Sequence, residues 1–258
     1  MTYNLLLPSV THNRHPYSSP LFVTLIRHFF LMSATKIKVM LSAAFKEAYL
    51  ELVPQFERAS GYKVESLWVP SVQMMTRLKG GESVDLVILS AASLDALRKA
   101  GLISDRTDLA RSGIGVAVKS GARKPDISSG EAVKRAVLAA KGIAYSTGPS
   151  GIYLMELFQR MGIAESIKSK VKQVQGEPAG GVVARGEAEI AFQQVSELLP
   201  VPGIDFVGPL PADIQQVTVF SAGLHAAAKQ PAAARALVKF LTAPAAAAVI
   251  RKKGMEPA

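Results

Sequence analysis

Short apolar stretches alternate with longer amphipathic segments along the chain after Lys36. The apolar stretches are rich in Val, Ile and Leu, as buried strands are, whereas the longer segments repeat apolar residues every three or four positions, as helices do. This alternation predicts an α/β fold with mainly parallel strands. The predicted strands are 37–41, 62–69, 85–89, 113–118, 142–145, 190–193, 205–207 and 216–224.

The amphipathic segments predict eight principal helices, at 45–60, 71–79, 92–100, 129–140, 152–161, 178–185, 231–241 and 244–253. Pro54 lies inside the first of them. Because apolar residues keep helical spacing across Pro54, we expect a kink at this position rather than the end of the helix.

Four connections lead from a predicted strand into a predicted helix through small or hydroxyl-bearing residues. The first N–H groups of a helix have no partner within it, and the helix dipole is positive there, so such turns suit an anion. Ligands of open α/β sheets bind beyond the carboxyl ends of the strands. A single turn of this kind is more typical of a helix start without a ligand, and the convergence of four of them leads us to predict an anion site there. The candidates are Ser42, Ala43, Ala44, Ser71, Pro149, Ser150, Gly151, Gly176 and Glu177.

The composition restricts the chemistry that these turns could support. A chain of 258 residues with 49% hydrophobic and 19% charged residues predicts a globular protein of one long domain or two lobes. It contains no cysteine, which excludes disulfides, thiolate metal ligands and thiol nucleophiles. The four histidines are scattered without metal-ligand spacing, so we expect neither a metal nor a cofactor.

The formal net charge of +10 raises the possibility of a nucleic-acid partner. The basic residues are, however, spread over polar faces of predicted helices without interleaved aromatic residues. We therefore expect a small anionic ligand and no nucleic acid. No phosphate-binding loop and no dinucleotide fingerprint follows a predicted strand, which argues against a nucleotide-binding enzyme.

Residues 1–31 differ in character from the rest of the chain. A polar, Pro-bearing segment precedes an apolar run at 21–32 that is interrupted by Arg27 and His28 and is too short to span a bilayer. It is also a poor signal peptide. We expect a poorly ordered extension or degenerate signal, no transmembrane segment, translation starting near Met32 and a cytoplasmic protein. The alternative is a periplasmic protein with a degraded export signal.

An ordered set of motifs covers the chain after Met32, at 36–48, 55–61, 85–90, 148–153, 183–190, 231–244 and 253–257. Together they resemble the molybdate-type solute-binding proteins of ABC transporters. The resemblance implies a two-lobe type II periplasmic-binding-protein fold with a central ligand cleft. Lobe 1 would comprise 32–115 and 217–258, and lobe 2 would comprise 116–216. An ABC transporter permease would be a partner if the protein is exported.

The resemblance implies a set of ligand-holding residues, which this chain retains in part. Ser71 and Ser150 lie where the family holds its oxyanion. At the end of the first loop, where the family has a serine, this chain has Ala44, and the hydroxyl is displaced to Ser42.

Two glutamines mark a further departure from the family. The position of the family's pocket tyrosine is Gln194, with Gln193 beside it. Neighbouring residues of a strand point to opposite sides, so only one of them can face the cleft. A pocket that has lost oxyanion donors and gained amides suits an organic carboxylate at least as well as molybdate.

Two functions therefore remain open. The first is capture of a small anion without chemistry. The alternative is an isomerase of a small tricarboxylate, resembling aconitate isomerase, in which Glu177, Tyr145 or Tyr153 would act as the base. No catalytic residue is assigned, because Glu177 is explained as readily by its place in the first turn of a helix.

Two further interpretations concern the remaining features of the chain. An effector-sensing domain of a transcription regulator would need a helix-turn-helix segment, and residues 1–31 are too short and Pro-bearing to provide one. Trp68, the single tryptophan, lies just before Pro70 and Ser71, where it would either line the cleft or pack in the core; the apolar residues that flank it slightly favour the core.

Overall fold

A computed structural model describes residues 35–258. Its strands are β1 (Lys36–Leu41), β2 (Lys63–Trp68), β3 (Leu86–Ser90), β4 (Ile103–Ser112), β5 (Ile114–Lys119), β6 (Ile143–Ser146), β7 (Val171–Val174), β8 (Ile190–Gln194), β9 (Ile204–Pro209), β10 (Thr218–His225) and β11 (Glu256–Pro257).

Its α-helices are α1 (Lys46–Ser60), α2 (Ser71–Lys79), α3 (Ala91–Lys99), α4 (Gly130–Ala139), α5 (Pro149–Arg160), α6 (Ala164–Ile167), α7 (Ala179–Ala184), α8 (Val195–Leu198), α9 (Pro231–Leu241) and α10 (Pro244–Lys252). Short 3-10 turns lie at Ala43–Phe45 and Lys168–Lys170. Helix α1 continues through Pro54, as expected.

The strands form two sheets, which define two lobes. Lobe 1 has the order β11-β4-β10-β3-β1-β2, and lobe 2 has the order β7-β6-β8-β5-β9. The two-lobe α/β fold expected from the sequence is therefore confirmed. We propose, as expected from the sequence, that lobe 1 comprises 32–115 and 217–258 and that lobe 2 comprises 116–216.

The pairing of the strands is more mixed than expected. Strand β1 is parallel to β2 and β3, and β6 is parallel to β7 and β8, but β5 and β10 are antiparallel to both of their neighbours. The expectation of mainly parallel strands is wrong in this respect. Strands β5 and β10 each follow a chain crossing between the lobes, where the chain enters a sheet from its opposite end. The short edge strand β11 is also antiparallel to its neighbour β4.

Helices cover both faces of each sheet, and the alternation of side chains divides each core in two. In β1, Val39 and Leu41 pack in one buried cluster with α1, α9 and α10, while Met40 packs in another with α2 and α3. In β6, Tyr145 and Ala144 likewise belong to opposite clusters. The near-continuous apolar runs seen in the sequence result from this double burial.

The two chain crossings between the lobes lie side by side. The first is at Gly113, between β4 and β5, and the second lies between β9 and β10. Gln215 in the second crossing accepts a hydrogen bond from the N–H of Ile114 at 2.8 Å and donates to its carbonyl oxygen at 3.0 Å. A side-chain amide thus joins the crossings as a strand partner would.

Among residues 35–258 no single helix is long and apolar enough to cross a membrane; only α9 and α10 taken together, with a 65° bend between them, match a span by length and composition. The expectations for residues 1–31 and for a start near Met32 lie outside the described residues.

Candidate functional site

A cavity of about 420 Å³ lies between the lobes at the carboxyl ends of β1, β2, β6, β7 and β8. Its walls include many of the residues proposed from the sequence: Ser42, Ala43, Ala44, Ser71, Pro149, Gly176, Glu177 and Gln193. Three others, Ser150, Gly151 and Gln194, do not line it. The structure therefore brings most candidates to one place, and their role in ligand binding stays a prediction.

Ser42 belongs to the wall of the cavity on lobe 1. Its N–H donates to the carbonyl oxygen of Ile88 at 3.2 Å, which fixes the turn after β1. Its Oγ is buried and has no hydrogen-bond partner among residues 35–258. An unsatisfied buried hydroxyl costs free energy, and a ligand that forms a hydrogen bond with Ser42 Oγ would offset this cost.

Lys46 and Trp68 form the mouth of the cavity on the same lobe. The Lys46 ammonium lies 5.6 Å from the centroid of the Trp68 ring, within the range of a cation–π contact. The expectation of a core tryptophan is wrong, because Trp68 is 39% exposed and packs edge-on against Tyr49 at the end of the edge strand β2. Lys46 is the one cationic residue on the cavity wall in the described part of the chain.

On the wall of lobe 2, α5 begins at Pro149 and aims its first turn toward β6. Gly151 is needed there for packing, because a Cβ at this position would overlap the carbonyl oxygen of Ser146. Ser150 is buried, and its Oγ has no partner in residues 35–258. The missing side chain of Gly151 thus allows the helix backbone to approach the end of the preceding strand closely.

The two glutamines of β8 point to opposite sides, as the strand geometry requires. Gln193 lines the cavity. Gln194 is buried at the lobe crossing, where its amide nitrogen donates to the carbonyl oxygens of Ser112 and Gly113 at 2.9 and 3.1 Å and its oxygen accepts from Thr218 Oγ1 at 3.0 Å. The geometry therefore gives Gln194 a structural place at the crossing rather than a place on the cavity wall.

Glu177, the candidate base, lines the cavity but is already paired. Its Oε2 lies 3.0 Å from Nη1 of Arg185, and both side chains are exposed. Tyr145 and Tyr153 lie off the cavity wall. Tyr145 is buried, which raises its pKa, and the Tyr153 hydroxyl donates to the carbonyl oxygen of Ile214 at 2.8 Å.

Glu197, which the sequence analysis did not identify, lies on the wall in α8. Its Oε1 accepts a hydrogen bond from Nε2 of Gln193 at 2.9 Å, and no cation of residues 35–258 forms an ion pair with it. Removal from water disfavours the charged form and raises the pKa of Glu197 to about 7. A carboxyl group in this state can both accept and donate a proton near neutral pH.

Glu197 gave a weak signal in the sequence. It belongs to a four-residue helix too short for helical periodicity, and its nearness to the cavity depends on contacts between the lobes. The one available signal was its position just beyond the carboxyl end of a buried strand.

No group of three or more His, Asp or Glu residues in the described chain is placed to hold a metal ion. What the cavity offers instead is one ammonium group, hydroxyl groups, helix starts and a protonatable carboxyl group. These groups can bind an anion and exchange a proton with it.

Two lobes joined by paired crossings around a cleft at strand ends are the architecture of the type II periplasmic binding proteins. The chain belongs to the bacterial extracellular solute-binding protein family, whose profile matches residues 37–256. The family resemblance inferred from the sequence motifs is therefore confirmed.

Two curated relatives cover most of the chain. Over 231 residues it is 38% identical to a Pseudomonas sp. protein named "Aconitate isomerase", covering 86% of this chain and 88% of the relative. Over 233 residues it is 26% identical to the molybdate-binding protein ModA of Azotobacter vinelandii, covering 86% and 90%.

Solved structures share the fold at lower sequence identity. The periplasmic molybdate-binding protein of Azotobacter vinelandii matches with a TM-score of 0.72 at 18% identity, covering 85% of this chain and 98% of that one. The sulfate-binding protein SubI of Mycobacterium tuberculosis matches with a TM-score of 0.71 at 16% identity, covering 86% and 87%. Since the family is extracellular, the expected cytoplasmic location is not supported.

Proposed function

We propose that the cleft binds a small organic polycarboxylate and that the protein isomerises it by moving a proton within it. The observation that supports this proposal is the make-up of the cavity, in which groups suited to an anion lie beside the Glu197 carboxyl group, which has no ion-pair partner among residues 35–258. Capture alone needs only the groups suited to an anion. A carboxyl group that exchanges its proton near neutral pH is needed for a proton shift as well.

The size of the cavity supports an organic ligand. About 420 Å³ falls within the roughly 300–1,000 Å³ typical of sites for organic molecules. It corresponds to roughly fourteen water molecules at about 30 Å³ each, far more than the five atoms of a tetrahedral oxyanion fill. Ala44 and Gln194 also stand where related oxyanion-binding proteins are expected to supply hydroxyl donors.

The relative named "Aconitate isomerase" suggests the substrate class, because it is 38% identical over most of both chains. Aconitate is an unsaturated tricarboxylate, and a 1,3-shift of a proton along its carbon chain interconverts the cis and trans forms. The reaction needs an anion site and one group that exchanges a proton, and the cavity contains candidates for both.

The proposal is tested with the purified chain and a panel of anions. We expect trans-aconitate, cis-aconitate and the saturated analogue tricarballylate to raise the unfolding midpoint by a few degrees at about a hundred times their dissociation constants. Proton NMR should then show cis-aconitate forming from trans-aconitate. Binding of tricarboxylates without conversion would reduce the function to capture.

A second candidate is capture of an inorganic oxyanion without chemistry. It is favoured by the Ser42 hydroxyl, which has no hydrogen-bond partner within 35–258, and by similar proteins named for molybdate and sulfate binding. A rise in the midpoint with molybdate, tungstate or sulfate, and none with tricarboxylates, would select it.

The protein acts outside the cytoplasmic membrane in this proposal, in keeping with the extracellular family to which it belongs. In the capture role an ABC transporter permease would be its partner. Fractionation of cells that express the full chain should place it in the periplasm or medium, and recovery in the cytoplasm alone would contradict this location.

A further inference from the structure

We propose that Glu197 is the catalytic residue that takes up and returns the proton during isomerisation, and that Gln193 is the positioning residue that orients it. This inference rests on the proposed function and assigns its chemistry to one side chain. It replaces the candidate base suggested by the sequence, Glu177.

The side chain of Gln193 holds the Glu197 carboxyl group in one orientation. The amide oxygen of Gln193 accepts a hydrogen bond from the N–H of Ala179 at 2.8 Å, which fixes the orientation of the amide. The amide nitrogen of Gln193 therefore faces Glu197 and donates to Oε1 of Glu197 at 2.9 Å. Because Oε1 of Glu197 acts as an acceptor, the proton of the neutral acid resides on Oε2 of Glu197, which has no hydrogen-bond partner among residues 35–258.

The backbone that carries Glu197 is fixed from both lobes. The N–H of Val195 donates to the carbonyl oxygen of Gly113 at the crossing, at 2.9 Å. The hydroxyl of Ser196 donates across the cleft to the carbonyl oxygen of Ala44 at 2.8 Å. Helix α8 thus ties the acid to the loop that forms the opposite wall, and a proton-transfer group needs such fixed geometry.

The proton shift is balanced without any further reactant. The Glu197 carboxylate removes a proton from the CH₂ carbon beside the double bond, and the C–H electrons form a new double bond to the central carbon. The original double bond opens toward its far carbon, and that carbon takes a proton from the Glu197 carboxyl group after the carboxyl proton has exchanged with water. One C–H bond breaks and one forms, nothing is oxidised or reduced, and Glu197 returns to the carboxylate.

The other acids and phenols near the cavity fit this role less well. Glu177 is paired with Arg185, and Glu47 lies in the first turn of α1, where the helix dipole stabilises a negative charge. Tyr145 and Tyr153 do not line the cavity. The pKa of about 7 that burial gives Glu197 keeps both of its forms populated at neutral pH.

The test compares Glu197→Gln with Glu165→Gln, the same change at an exposed acid of α6 outside the cavity. We expect Glu197→Gln to lower kcat for trans-aconitate at least about 100-fold, as loss of a general base does. KM and the midpoint shift with tricarballylate should stay within about threefold of the wild type. Exchange of the substrate CH₂ protons with D₂O should cease. Glu165→Gln should retain the wild-type kcat.

The role of Gln193 has a readout of its own. Its hydrogen bond favours the charged carboxylate, so Gln193→Leu should raise the pKa of Glu197 and move the acidic limb of the kcat profile to higher pH. A purely structural role would lower stability or raise KM and leave the position of the limb unchanged.

Failure of this inference can be told apart from failure of the proposed function. If the wild type converts the substrate and Glu197→Gln has a kcat within fivefold of the wild type, the inference alone is overturned. The same holds if Glu177→Gln loses conversion and Glu197→Gln retains it. Absence of wild-type conversion would overturn both. If Glu197→Gln does not fold, Glu197→Asp is measured instead. Its carboxyl group is set back by one CH₂ group, which should lower kcat at least about tenfold. An unchanged kcat would contradict the catalytic role of Glu197.

Discussion

Glu197 lies half-buried on the wall of the cleft, and no cation among residues 35–258 forms an ion pair with it. Its pKa is raised from 4.5 to about 7 in the folded protein, so folding favours its neutral form. The neutral form therefore contributes its full stabilisation below pH 4.5. As the pH rises from 4.5 to 7, the free energy of unfolding falls by at most about 1.4 kcal/mol per pH unit.

We therefore predict that the wild type loses stability relative to Glu197→Gln between pH 4.5 and 7, and that the difference is constant above pH 7. The other charged residues on the cavity wall, Lys46, Glu47 and Glu177, are present in both proteins and cancel in the comparison. Urea unfolding from pH 4.5 to 8.5 measures the difference. A difference that does not vary with pH would mean that Glu197 titrates normally.

Lys46 is the cation at the mouth of the cavity, and a carboxylate of the ligand is its expected partner. Lys46→Met keeps the aliphatic stem over Trp68 and removes the charge. Because hydrogen bonds to charged groups contribute about 1.5–3 kcal/mol, we expect tricarballylate binding to weaken at least about tenfold in calorimetry. Lys79→Met, at the far end of α2, is the matched control; equal affinities for both variants would exclude Lys46 from the site.

Residue-scale features were the least predictable from the sequence. The turn residues near Ser42 and Ser71 could be located because small residues after a buried strand carry a local signal. Glu197 and Trp68 could not, since their exposure to the cleft depends on how the two lobes meet.

At the scale of elements, α5 illustrates how one glycine allows a helix to start against a strand. A Cβ at Gly151 would overlap the Ser146 carbonyl oxygen, whereas one at Gly148 would make an ordinary 3.4 Å contact with Ser146 Oγ. We predict that Gly151→Ala lowers the free energy of unfolding by about 1–3 kcal/mol, as overpacking does. Thermal unfolding checks this, and Gly148→Ala should stay within about 1 kcal/mol of the wild type. An unchanged free energy of unfolding in Gly151→Ala would mean that the start of α5 can shift away from the Ser146 carbonyl oxygen.

The elements themselves were largely predictable, because double burial produces apolar runs and amphipathic helices of ordinary length. Strand β4 was missed, since its sequence ISDRTDLARS is mostly polar and its outer neighbour β11 is only two residues long. Strand direction was also missed, because the lobe crossings decide it and they have no local pattern.

For the whole molecule, the paired crossings predict a hinge that closes on the ligand. Gln194 and Gln215 connect the crossings through side-chain amides. We expect the lobes to rotate about these crossings, with the Ser196–Ala44 hydrogen bond as a second contact between them. We expect small-angle X-ray scattering to give a smaller radius of gyration with saturating tricarballylate than without it. An unchanged radius with bound ligand would show that the unliganded protein is already closed.

Whether this cleft moves a proton within a tricarboxylate is decided by proton NMR of the wild-type protein with trans-aconitate in D₂O. We expect cis-aconitate to accumulate to equilibrium while deuterium enters the CH₂ group. Unchanged trans-aconitate in a sample whose unfolding midpoint rises with molybdate would contradict this expectation and leave a protein that captures oxyanions.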